Sequence, residues 1–101
     1  MEDQALRAQI SQFLDGESRL IQYPAKLRPK LLSLFYLAEK FEPGTQYTEK
    51  EVNELLRRWH TFSDWAMLRR DLYDRRFLDR DSRGSTYWLR PNQPTLADFG
   101  L

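Results

Sequence analysis

The chain has 101 residues, 31% of them charged and 41% hydrophobic, with a formal net charge of only +1. That length suits one domain burying roughly 60–70% of the surface its unfolded chain exposes. The near-balance of charge removes the simplest argument for a nucleic-acid partner. The absence of cysteine excludes disulfides and thiol catalysis. No apolar run approaches the ~20 residues of a membrane helix, and the acidic opening Met1-Glu2-Asp3-Gln4 lacks an apolar signal core. No membrane partner and a cytoplasmic location are therefore expected.

Residues 3–14 read as a short helix with Leu6, Ile10, Phe13 and Leu14 on one face, ended by the turn signal Asp15-Gly16. Arg19 to Tyr23 reads as a short extended piece, and Pro24 biases Tyr23 away from helix. Pro29 suits the first position of a helix running to about Phe41, with Leu31, Leu34, Phe35, Ala38 and Phe41 as its stripe. Leu32, Tyr36 and Leu37 carry apolar surface nearly all the way round it. Such a helix is central and buried on most sides, or it lends a face to a second copy of the chain.

Glu42-Pro43-Gly44-Thr45 is a turn, and Gln46-Tyr47 suits a one-bridge strand. Thr48-Glu49-Lys50-Glu51 has the form of a capping box, opening a helix striped by Val52, Leu55, Leu56 and Trp59. After the turn His60-Thr61-Phe62, Ser63 is the expected N-cap of a second helix, with Asp64 favouring its positive end. Trp65, Leu68 and Leu72 are that helix's inward positions. Phe77 to Arg80 and Ser85 to Leu89 then flank the polar turn Asp81-Ser82-Arg83-Gly84, a hairpin with glycine where φ can be positive. In the second strand only one of Tyr87 and Trp88 can face the core. The tail, residues 90–101, carries Leu96, Phe99 and Leu101, which dock back, meet a partner or stay disordered.

Helix, turn, helix, hairpin is the plan of a winged helix. The expected fold is α+β, one winged-helix domain over 1–101 with a core of about 24–89, an added N-terminal helix at 3–14 and a tail at 90–101. Tyr23-Pro24-Ala25-Lys26, Phe41-Glu42-Pro43-Gly44, Tyr47-Thr48-Glu49-Lys50-Glu51-Val52-Asn53, Leu68-Arg69-Arg70-Asp71-Leu72, Phe77-Leu78-Asp79-Arg80 and Tyr87-Trp88 give the chain a further resemblance. Over about two thirds of its length it resembles a bacterial family catalogued as domain of unknown function 2087. The resemblance implies a winged helix, sometimes beside repressor-type domains, and a link to transcription. One position departs from the pattern. Winged helices of this look usually have glycine two residues before the Leu that starts the hairpin, and here that residue is Arg76. Arginine disfavours the left-handed backbone of a helix exit, so the helix ends by another route or Arg76 is strained or specially placed.

Arg69, Arg70, Arg75, Arg80 and Arg83, on the second helix and hairpin, are the candidate DNA-binding residues, since that helix would enter the major groove. From Phe62 to Arg90 seven arginines face five aspartates, a surplus of two. A solvated, salt-bridged face is the competing account, because counterion release follows unpaired cations. Arg70 points furthest from Leu68 and Leu72, Arg69 lies nearer the boundary, and Arg83 sits at the hairpin tip. Leu32, Tyr36, Leu37, Trp88 and Phe99 are the candidate interface residues. A single histidine, His60, makes no metal site and is better explained as a cap or packing residue. Glu49, Glu51 and Glu54 are explained by a helix start. No phosphate loop or catalytic order of residues occurs, so neither enzyme activity nor a metal or cofactor is expected. The expected function is DNA binding in transcription regulation. The alternative is a protein-interaction or dimerisation module on the same fold, with a second copy or another regulator domain as partner.

Overall fold

The computed structural model describes residues 3–101, with side chains from residue 5 onward. It is an α+β fold. The described elements run α1 (Asp3–Gln9), α2 (Leu27–Ala38), β1 (Tyr47–Thr48), α3 (Glu49–Trp59), α4 (Trp65–Asp74), β2 (Leu78–Arg80) and β3 (Thr86–Leu89). Single 3-10 turns lie at Ser11–Phe13 and Leu96–Phe99. The N-terminal helix is therefore shorter than the expected 3–14 and breaks into a 3-10 turn.

α2 is the central helix. Leu31, Leu34, Leu37 and Ala38 join Val52 and Leu56 of α3, Leu68 and Leu72 of α4, and Phe77, Leu78 and Tyr87 of the hairpin in one core. On its other side Leu32 and Tyr36 pack with Leu6 and Ile10 of the N-terminal segment. The Tyr36 hydroxyl donates to the Ser18 carbonyl at 2.7 Å, so its polar end is satisfied despite burial. Of the two readings of this helix, the buried one holds at the candidate interface residues Leu32, Tyr36 and Leu37: all three are buried within the chain. Leu32 and Tyr36 are covered by the N-terminal segment and Leu37 by the main core.

α2 starts two residues earlier than expected, at Leu27, with Pro29 still inside the first turn, where its missing amide has no intrahelical partner to lose. It ends at Ala38 instead of Phe41. Phe41 nonetheless stays buried, edge-on to Tyr47 with ring centroids 5.2 Å apart.

The capping box of α3 forms as the spacing requires. Thr48 Oγ1 accepts from the Glu51 amide at 3.1 Å, and the Glu51 carboxylate accepts from the Thr48 amide at 2.9 Å. Those hydrogen bonds, first that from the Thr48 amide, hold the Glu51 carboxyl below its usual range. Thr48→Ala is expected to cost about 1 kcal/mol, read as a lower denaturation midpoint at unchanged m-value; an unmoved midpoint would reject the cap.

The turn into α4 differs from expectation. Buried His60 holds it: Nδ1 donates to the Leu56 carbonyl at 2.5 Å, and Nε2 accepts from the Asp64 amide at 3.0 Å. With the Asp64 amide fixed there, Ser63 takes a left-handed φ of 54°. Asp64, not Ser63, is the N-cap, its carboxylate accepting from the Met67 amide at 3.4 Å.

The sheet is antiparallel in the order β1-β3-β2, so the short strand before α3 pairs with the hairpin's second strand. Tyr47 faces Tyr87, Leu78 faces Leu89, and Arg80 also faces Tyr87. Tyr87 is the inward residue of its strand and Trp88 is half-buried. At the hairpin turn Gly84 has φ 70°. Asp81 accepts from the Ser85 hydroxyl at 2.7 Å and the Ser85 amide at 2.8 Å. The Ser85 bonds, the hydroxyl's first, keep the Asp81 carboxyl below its ordinary value.

Three connections tie the flanks to this frame. The Leu20 amide donates to the Trp59 carbonyl and the Thr61 amide to the Leu20 carbonyl, at 2.8 and 3.0 Å. The Tyr23 hydroxyl donates to Asp71 of α4 at 2.7 Å. The tail docks back: Gln93 Nε2 donates to the Phe77 and Arg90 carbonyls, both at 2.8 Å, and Phe99 lies against Phe35 and Phe77.

Candidate functional site

Leu68 and Leu72 turn α4 inward, which leaves Ala66, Met67, Arg70, Tyr73 and Asp74 on or near its outer side at helical spacing. The hairpin rises beside that side. Between them lies an open groove lined by Ala66, Met67, Arg69, Arg70, Tyr73, Asp74, Arg80 and Tyr87.

The candidate arginines do not behave alike. Arg70 has 82% of its side chain exposed and faces Asp74 one turn on at 3.6 Å. An exposed pair of that kind contributes little and is readily exchanged for another anion. Arg80 is pre-positioned. Its guanidinium lies over the Tyr73 ring, 4.3 Å from the centroid. The hydroxyl of Tyr87, then that of Tyr73, holds its pKa above the ordinary value. Gly84 lies beside the same group, a Cβ there standing 3.3 Å from an Arg80 terminal nitrogen that can shift; the positive φ is what calls for glycine. Arg83 is exposed at the hairpin tip and makes no ion pair among the described residues.

Arg69 and Arg75 are placed differently from the other candidates. Arg69 is only 18% exposed and is spent on α3, pairing with Glu49 at 2.9 Å and hydrogen-bonding Asn53. One step past inward Leu68, it sits at the α3–α4 boundary and braces the two helices. Arg75 is the C-cap of α4 and lines a different pocket, with Arg76, Arg90 and the tail. Tyr73 is the residue that sequence reasoning missed. It follows Arg70 by three positions, so their shared face was legible, but its use as a platform for Arg80 depends on the hairpin's placement.

Trp88 borders a shallow, mainly apolar depression with Pro43, Gly44, Gln46 and the start of the tail. Phe99 is half-buried against Phe35 and Phe77. Among the described residues no group of three or more His, Asp or Glu is placed to hold a metal, and no helix is long and apolar enough to cross a membrane.

A family model described as "uncharacterized protein conserved in bacteria (DUF2087)" matches residues 19–89, well over half of the chain. The chain belongs to this family. No curated protein and no solved structure matches it. The match in DUF2087 takes in Leu20, α2 to α4 and the whole sheet. It leaves α1 and the docked tail outside.

Proposed function

We propose that this DUF2087 chain is a winged-helix domain that binds duplex DNA, with α4 as the groove-reading helix and the β2–β3 hairpin as the wing. Support for the fold comes from the order α2, β1, α3, α4, β2, β3 and from the sheet order β1-β3-β2. In that plan the first strand is pinned beside the wing ahead of the helix-turn-helix pair. The observation that carries the function is the grouping of Arg70 and Arg80 along one groove between α4 and the hairpin, with Arg83 at the hairpin tip. Arg80, held over Tyr73, contributes a pre-placed cation; Arg70 and Arg83 contribute mobile ones. Few unpaired cations imply few phosphate contacts, so affinity is modest and falls steeply with salt. The work of such a domain is transcription regulation in the cytoplasm, without catalysis.

Asp74 within the same groove is the observation that favours a second reading, a protein-interaction module using this face. Fluorescence anisotropy with duplex DNA at low salt separates the two. Arg83→Ala is expected to weaken all sequences about equally and to reduce the salt slope by about one unit. Arg70→Ala is expected to change sequence preference, because its side chain projects from the groove-reading helix toward base edges. No binding by the wild type, or binding that neither substitution changes, would sink the DNA reading and leave the interaction module.

A further inference from the structure

α4 ends in a Schellman motif: the Phe77 amide donates to the Leu72 carbonyl at 2.9 Å and the Arg76 amide to the Tyr73 carbonyl at 3.1 Å. The residue at the left-handed position of this motif is normally glycine. Here it is Arg76, at φ 70°. A side chain kept where glycine is easier points to a use for that side chain. Arg76 lines a pocket of about 630 Å³ between the helix exit and the docked tail, together with Arg75 and Arg90. That volume lies within the roughly 300–1,000 Å³ of small-molecule sites.

Two acids, Asp74 and Asp98, line the pocket against the three arginines, which leaves a surplus of one positive charge. Asp98 accepts from the Thr95 amide at 2.8 Å in a capping box, and Asp74 faces Arg70. Arg75 and Arg76 make no ion pair among the described residues, and Arg90 reaches Asp79 only at 3.9 Å. Phe99 and Pro94 add an apolar wall. Guanidinium forks match carboxylate and phosphate oxygens in pairs.

We propose that the pocket between the α4 exit and the C-terminal tail binds a small organic anion bearing phosphate or carboxylate groups, through Arg76 with Arg75 and Arg90. The site adjoins the α4–hairpin groove, sharing Asp74 alone among its lining residues, and does not depend on DNA binding. Its occupant bridges the tail to the end of α4, and its affinity depends on the arginine at the left-handed position.

The test is calorimetric titration of the full chain with pyrophosphate and with citrate, at matched ionic strength against a chloride control. Saturable binding of at least one of the two is expected, and the preference between them tells phosphate from carboxylate. Arg76→Gly keeps the backbone geometry and folds, since glycine suits the left-handed position, but is expected to bind about tenfold or more weakly. Arg83→Ala, at the distant hairpin tip, is expected to bind like the wild type. The assignment is overturned if neither anion saturates the wild type, if Arg76→Gly binds as tightly as the wild type, or if the loss follows Arg83→Ala instead.

Discussion

Leu68→Ala is expected to remove about 2–5 kcal/mol of stability, the range for truncating a fully buried leucine. Leu68 is 0% exposed and lies where α2, α3, α4 and the hairpin share one core with Leu34, Val52, Leu72 and Phe77. Collapse into the gap is resisted because α4 is fixed at its start by the His60 and Asp64 bonds and at its end by the Schellman motif. The lost contacts and the residual cavity therefore add. Arg70→Ala, two positions away on the exposed side, is expected to stay within about half a kilocalorie. Urea denaturation of both variants checks the contrast, and a loss at Leu68 no larger than that at Arg70 would remove Leu68 from the core.

Tyr23→Phe is expected to cost about 1–3 kcal/mol, because it deletes the hydroxyl that donates to Asp71 at 2.7 Å and leaves a half-buried carboxylate short of a partner. It should also alter the alkaline limb of the stability curve. Burial, then the hydrogen bond to Asp71, then the Asp71 charge raise the Tyr23 pKa above its ordinary value of about 10, with Arg75 opposing. A raised folded-state pKa means that the folded chain retains the proton more firmly than the unfolded chain. The resulting stability is complete below about pH 10 and is lost as pH rises above it. The wild type should therefore lose stability above pH 10 more steeply than Tyr23→Phe. Parallel limbs for the two proteins would show that the hydroxyl keeps no special hold on its proton.

The parts of this fold legible in the sequence were those encoded within one element. Thr48 and Glu51 stand three apart and cap each other whatever surrounds them, and Leu68 and Leu72 stand four apart and share a face in any helix. Gly84 marks the hairpin tip by backbone preference alone. Trp88 and Tyr87 could be assigned opposite faces from strand alternation, though not which of the two would be buried. What escaped the sequence was set between elements. Arg69 and Arg70 are adjacent arginines on one helix, and only the position of Glu49 and Asn53 on α3 makes the first a brace and leaves the second outward. Ser63 lost the capping role to Asp64 because His60, buried beneath the turn, claims the Asp64 amide. Leu32, Tyr36 and Leu37 resembled a dimer face because the cover over them comes from elements distant in sequence. Arg75, counted with the groove, belongs to the pocket made by the returning tail.

The pairing of Leu20 with the α3–α4 turn bears on how the chain reaches this structure. Leu20 and His60 are 40 positions apart, yet the Leu20 backbone supplies both a donor and an acceptor to the residues flanking His60. Closing so long a loop carries an entropic cost that local helix formation does not. His60 sets the bend between α3 and α4 locally, and the Leu20 segment adds two long-range backbone bonds to it. The setting of α4 against α3 is therefore tied to backbone far outside the helix pair, so a change near Leu20 reaches the face that α4 presents.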